Sequence, residues 1–113
     1  MNNEKLPKNI RNKPDIELNG RTLLALSHAI NYLNNTFDIY FKKKKWPIEN
    51  YEIWTVIYEE EKCISVAFCP KIEPDESGLL FEVPVQGVWK NGPGVKFFIS
   101  LADYSLIDTV FMR

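Results

Sequence analysis

Apolar residues in this chain recur first at spacings of three and four, and from residue 51 onward at a spacing of two. Leu23, Leu26, Ile30, Leu33 and Phe37 fall into one stripe when wound as a helix. The stripe predicts an amphipathic helix from Asn19 to about Phe37, with Asn19 as its N-cap and the polar run Asn34-Asn35-Thr36 weakening its end. The chain then leaves the helix through Tyr40-Phe41, the lysines of 42–45, Trp46 and Pro47. Residues 51–58, 63–68, 79–85, 95–101 and 106–112 read as strands. One helix must then cover one face of an antiparallel sheet, which is an α+β layer and not a βαβ scaffold. The expected fold is one long N-terminal helix packed on a curved four- to five-stranded antiparallel sheet.

The first hairpin turns at Glu59-Glu60-Glu61-Lys62 and sets Ile57 against Ile64, Thr55 against Val66 and Ile53 against Phe68. That face carries the branched aliphatics and should meet the helix. The other face sets Trp54, Val56 and Tyr58 against Ala67, Ser65 and Cys63, and it too is apolar. A sheet with a helix on one side normally shows charge on the other. A subunit, a partner or the curl of the sheet around a cavity should therefore cover it.

Pro84 marks the third strand as an edge or a bulge, and 86–94 is a glycine-punctuated loop carrying Trp89. The fifth strand fits two registers one residue apart, which decide whether Asp108 faces Ile99 or solvent. Residues 1–18 are polar, with Pro7 and Pro14 and few apolar anchors, and read as an arm preceding a single domain over 19–113.

A chain of 113 residues supports one core, and its 45% hydrophobic and 26% charged residues fit a globular domain. Net charge is −1, which offers nothing general to nucleic acid or an anionic membrane. The halves differ, however: 1–50 carry nine Lys/Arg and five Asp/Glu, and 51–113 carry five and ten. The second half is therefore the acidic one. No apolar run approaches the length of a membrane helix, and the N-terminus lacks an apolar signal core. Cys63 and Cys69 lie on one strand, roughly 20 Å apart and beyond disulfide reach. Free thiols fit a reducing cytoplasm.

Candidate chemistry is sparse. His28, the single histidine, lies about 170° around the helix from the stripe and should face solvent; with no second histidine, no histidine metal site is expected. Neither cysteine has a base beside it in sequence, so both read as small buried thiols. The lysine run at 42–45 follows a helix C-terminus, where cations are favoured, and reads as a solvated exit and not a nucleic-acid surface. Glu59, Glu60 and Glu61, and likewise Glu73, Asp75 and Glu76, lack calcium-loop spacing, so they are soluble tips or acidic contacts for a basic partner. The loop Gln86-Gly87-Val88-Trp89-Lys90-Asn91-Gly92-Pro93-Gly94 has no phosphate-loop ending. Its Trp89 either anchors an interface or folds over the sheet end.

This order of elements resembles the cystatin-like fold shared with nuclear-transport-factor-2-like proteins. The closing stretch, Gly94-Val95-Lys96-Phe97-Phe98-Ile99-Ser100, then Asp103, then Leu106-Ile107-Asp108-Thr109-Val110-Phe111, is similar to the terminal hairpin of small bacterial immunity proteins of that fold. Gln86-Gly87-Val88-Trp89-Lys90 lacks the last glycine of the cystatin inhibitory hairpin and comes too late in the chain, so protease inhibition is not implied. The resemblance implies a cytoplasmic, non-catalytic module that neutralises a toxin or effector domain by occluding it, without a cofactor or metal. Asp75, Glu76, Trp89 and Lys90 are then the expected partner contacts. Two alternatives remain. One is a ligand binder or enzyme whose pocket on the second face is lined by Trp54, Val56, Tyr58 and Asp108, with Asp108 as acid/base. The other is a homodimer through that face.

Overall fold

The computed structural model describes residues 13–112. One helix, α1 (Gly20–Tyr40), precedes all the strands: β1 (Tyr51–Tyr58), β2 (Cys63–Pro70), the short β3 (Val88–Trp89), β4 (Gly92–Ser100) and β5 (Leu106–Met112). They form one open antiparallel sheet in which β2 lies between β1 and β4, while β3 and β5 both pair with β4. The architecture is the α+β layer expected from the pattern. The arm assigned to 1–18 lies mostly outside the described residues, and 13–18 are exposed.

Helix α1 starts where the sequence places it. The Asn19 side chain accepts from the Thr22 N–H at 2.8 Å, satisfying one of the donors a helix start leaves free. Its end lies three residues later than the expected Phe37, at Tyr40, and is closed by backbone bonds from Phe41 and Lys43 to the Phe37 carbonyl.

The buried face of α1 is rotated from the expected stripe. Thr22, Ala25, Ala29, Leu33, Thr36 and Phe37 are buried, whereas Leu23 and Ile30 are exposed. The apolar arc of this helix is wider than the sheet can cover. The small residues Ala25 and Ala29 let the backbone approach β2 and β4 closely, which leaves the bulkier side chains on the flanks. Against them pack Ile64, Val66, Phe68, Val95, Phe97 and Ile99.

The expected pairing of the first hairpin is borne out, with Ile57 opposite Ile64, Thr55 opposite Val66 and Ile53 opposite Phe68. Burial differs between its strands. Residues 63–68 of β2 are buried on both faces, but Ile53 and Ile57 on β1 remain 38% and 36% exposed because α1 does not reach over this edge. The helix runs obliquely, from an Arg21–Glu59 ion pair of 2.7 Å at the β1–β2 turn to a Tyr40–Phe111 edge contact on β5.

The expected third strand at 79–85 is not a strand. Only isolated bridges, Pro74 to Phe81 and Val85 to Val88, occur there, and the third strand is instead Val88–Trp89, inside the stretch read as a loop. Alternating apolar residues satisfied the strand pattern, but Pro84 removes a ladder donor and the polar turn residues 75–78 fold the segment on itself.

Of the two readings of the last hairpin, the one that leaves Asp108 in solvent holds, and Asp108 does not face Ile99. Phe98 pairs with Asp108 while Ile99 pairs with Leu106, so a β-bulge absorbs Ile107 as an extra residue. Asp108 is thereby set beside Phe98, exposed on the face away from the helix. Cys63 and Cys69 are free thiols, and burial raises the pKa of Cys69, with nearby Glu52 adding to the effect. Among the described residues no helix is long and apolar enough to cross a membrane.

Candidate interaction surface

The chain between β2 and β4 leaves the sheet, and this excursion carries the four expected partner contacts. Its foot is held by polar bonds. The Asn91 side chain donates to the Lys71 carbonyl at 2.7 Å and to Glu73 Oε1 at 3.0 Å. The Glu82 carboxylate accepts from the backbone N–H groups of Glu73 and Lys90, and the Glu82 N–H donates to the Glu73 carbonyl at 2.9 Å. At the tip, Asp75 Oδ1 accepts from the Ser77 hydroxyl and the Ser77 N–H, and the Asp75 N–H donates to the Leu80 carbonyl. These donors, the Ser77 hydroxyl first, hold the Asp75 carboxyl below the ordinary aspartate range. Further on, Val85 and Val88 exchange two backbone bonds of 3.0 Å around Gln86-Gly87. Both of these residues have positive φ, the geometry two-residue hairpin turns favour.

Polar groups hold this excursion together while its large apolar side chains point outward. Leu79 is 87% exposed, Leu80 68%, Phe81 74%, Val83 82% and Val85 75%. Single exposed apolar residues are ordinary, but five within seven positions form a candidate interaction surface. Glu73, Asp75, Glu76 and Glu82 lie in the same stretch of chain and make it acidic. The alternation at 79–85 was legible in the sequence, where it suggested burial in the sheet.

Asp75 and Glu76 lie at the tip and Trp89 and Lys90 at the foot, so the four share one excursion without converging. Trp89 is half-buried on β3, and Glu76 and Lys90 are exposed. Between this foot and the C-terminal end of α1 lies an apolar cleft of about 570 Å³, lined among others by Tyr40, Phe41, Val88, Pro93, Phe111 and Met112. Sequence reading missed this cleft; the aromatic pair Tyr40-Phe41 at the helix end was its one visible sign.

The second sheet face does not form that cleft. Trp54 and Val56 stand 64% and 50% exposed on β1, Tyr58 is half-buried against Phe98 with ring centroids 6.2 Å apart, and Asp108 lies on β5. Two strands separate β1 from β5, placing Asp108 about 14 Å across the sheet from the β1 residues. His28 is not the free solvent-facing histidine expected, since its ring stacks on Tyr104 in the β4–β5 turn. Among the described residues, no three His, Cys, Asp or Glu side chains come together as a metal site.

Over the described residues, the fold and this surface define an α+β sheet protein in which one α-helix covers the sheet and an apolar excursion faces outward. No family model, no curated protein and no solved structure matches the chain.

Proposed function

We propose that this chain is a non-catalytic protein-binding module, of the kind that neutralises a bacterial toxin or effector domain by covering it. The observation that carries this reading is the excursion at 71–91. Five large apolar side chains are displayed there on an acidic stretch of chain, and they are held in place by side-chain to backbone bonds at the foot. Such a surface complements a partner with a basic rim around an apolar patch. The charges steer the encounter and the apolar residues carry the contact energy. The cleft beside Tyr40 and Phe111 is a socket for one anchoring side chain of that partner. Free thiols at Cys63 and Cys69 support a reducing, cytoplasmic setting for the pair.

The test is co-expression with the product of the neighbouring gene. That product alone should arrest growth, and this chain should relieve the arrest and form a one-to-one complex. Phe81→Asp and Val83→Asp should weaken the complex at least about a hundredfold without changing the circular dichroism of the free chain. A neighbour that is harmless, or a complex indifferent to both substitutions, would end the proposal.

A further inference from the structure

We infer that two copies of this chain associate through their β1 edges, pairing antiparallel about a two-fold axis at Thr55 to make one continuous sheet. This inference is independent of the excursion and of the toxin reading. Strand β1 is the terminal strand of the sheet, and among the described residues it pairs only with β2. Edge strands are normally blunted by proline, lysine, a bulge or a covering element. Over its eight residues β1 has no Pro, Gly or Lys, and its pairing with β2 shows no register shift. The one charge on β1, Glu52, lies near its start, whereas the opposite edge strand β5 is bulged at Ile107 beside Asp108.

Both faces of β1 are apolar and partly bare. Ile53 and Ile57 lie beyond the reach of α1, and Trp54 and Val56 stand on the other side. The occupant follows from the sequence of the strand, because Ile53-Trp54-Thr55-Val56-Ile57 reads nearly the same in both directions. Centred on Thr55, an antiparallel pair of copies sets Ile53 against Ile57, Trp54 against Val56, Thr55 against Thr55 and Glu52 against Tyr58. Aromatic to β-branched and Thr to Thr pairs are favourable cross-strand neighbours, and no like charges meet. Centring on Trp54 sets Glu52 against Val56, and centring on Val56 sets Ile53 against Glu59. Only the Thr55 register matches apolar with apolar along the strand. It keeps both helices on one side of the joined sheet, where the isoleucines of the two copies fill the gap between them.

Sedimentation velocity of the full chain from about 1 to 200 μM should show a reversible dimer with a micromolar dissociation constant, as fits a short interface. Thr55 is exposed, and in this register it faces itself. Thr55→Lys alone and Thr55→Glu alone should each raise the dissociation constant at least about tenfold, and an equimolar mixture of the two should restore association. A wild-type chain that is monomeric throughout, its edge then left to another protein, overturns the inference. So do single variants that dimerise like wild type, or a mixture that does not re-associate.

Discussion

The imidazole of His28 stacks on the phenol ring of Tyr104, with ring centroids 5.4 Å apart and planes within 5° of parallel. Tyr104 also accepts a 2.5 Å hydrogen bond at its carbonyl from the Tyr32 hydroxyl, so the β4–β5 turn is fastened to two successive turns of α1. Its backbone stands at φ 60°, a region that costs most residues about 1 kcal/mol and glycine nothing. A tyrosine holds this position because its ring recovers the strain by stacking. Tyr104→Ala should therefore cost about 1–2 kcal/mol, and Tyr104→Gly less, because glycine relieves the backbone while losing the ring. Urea denaturation of the two variants gives the order directly; equal losses would mean the stack contributes everything.

Gly92 is fixed by contact as well as by conformation. At φ 126°, a Cβ there would collide with the Tyr51 hydroxyl and lie 3.1 Å from Trp46. Gly92→Ala should destabilise by about 2–4 kcal/mol. The Tyr51 hydroxyl is buried without a hydrogen-bond partner among the described residues, and burial pushes its pKa well above the ordinary phenol range. Tyr51→Phe should therefore be neutral or stabilising by up to about 1 kcal/mol. It should also reduce the penalty of Gly92→Ala, since it removes the nearest colliding atom. A double-mutant cycle by thermal unfolding measures that coupling.

The helix, the first hairpin with its register and the last strand were legible because each carries its own period and its own turn residues. The buried helix face departs from the stripe of large side chains because close packing selects the small residues Ala25 and Ala29. Residues 79–85 depart from the strand expectation because alternation records a chain able to lie half-buried, whether in its own sheet or against another molecule. The cleft was invisible for a different reason. Tyr40, Pro93 and Phe111 meet only through the oblique path of α1, and no local spacing encodes a crossing angle.

At the C-terminal end of α1, Lys42 and Lys43 hold φ of 52° and 65°, and the Lys43 N–H reaches back to the Phe37 carbonyl at 3.2 Å. Helices usually place glycine in such left-handed positions. Both lysines are exposed, so little packing is lost on truncation. Lys42→Gly or Lys43→Gly should raise stability by about 0.5–1 kcal/mol, a gain of a few degrees in melting temperature. An unchanged or lower melting temperature would show that the lysine stems contribute as much as the strain costs.

Two turns should loosen together in acid. The Ser105 hydroxyl, the largest influence, and the Ser105 N–H donate to Asp103 Oδ1, as Ser77 does to Asp75, and both carboxyls are held below the ordinary aspartate range. A depressed folded pKa means that the contribution is fully present above the unfolded value, about pH 4, and is lost as pH falls through the lower folded one. Both carboxyls are exposed, so the effect on global stability is small and the local readout is the informative one. NMR titration of the carboxyl carbons should give midpoints below those of an unfolded reference. The Ser77 and Ser105 amide resonances should move with the same midpoints, and Asp103→Asn should abolish the shift at Ser105 while leaving that at Ser77.

The outward side chains of the excursion supply the last expectation. If Leu80, Phe81 and Val83 serve a partner and not the fold, replacing each by serine should change the unfolding free energy of the isolated monomer by less than about 0.5 kcal/mol, the range of surface sites. Phe97 is fully buried between α1 and the sheet, and Phe97→Ala should cost about 3–5 kcal/mol in the same assay. Chemical denaturation at low micromolar concentration separates the two groups. A loss of several kcal/mol at Phe81 would make that residue part of the core, and the displayed surface would then belong to the chain itself.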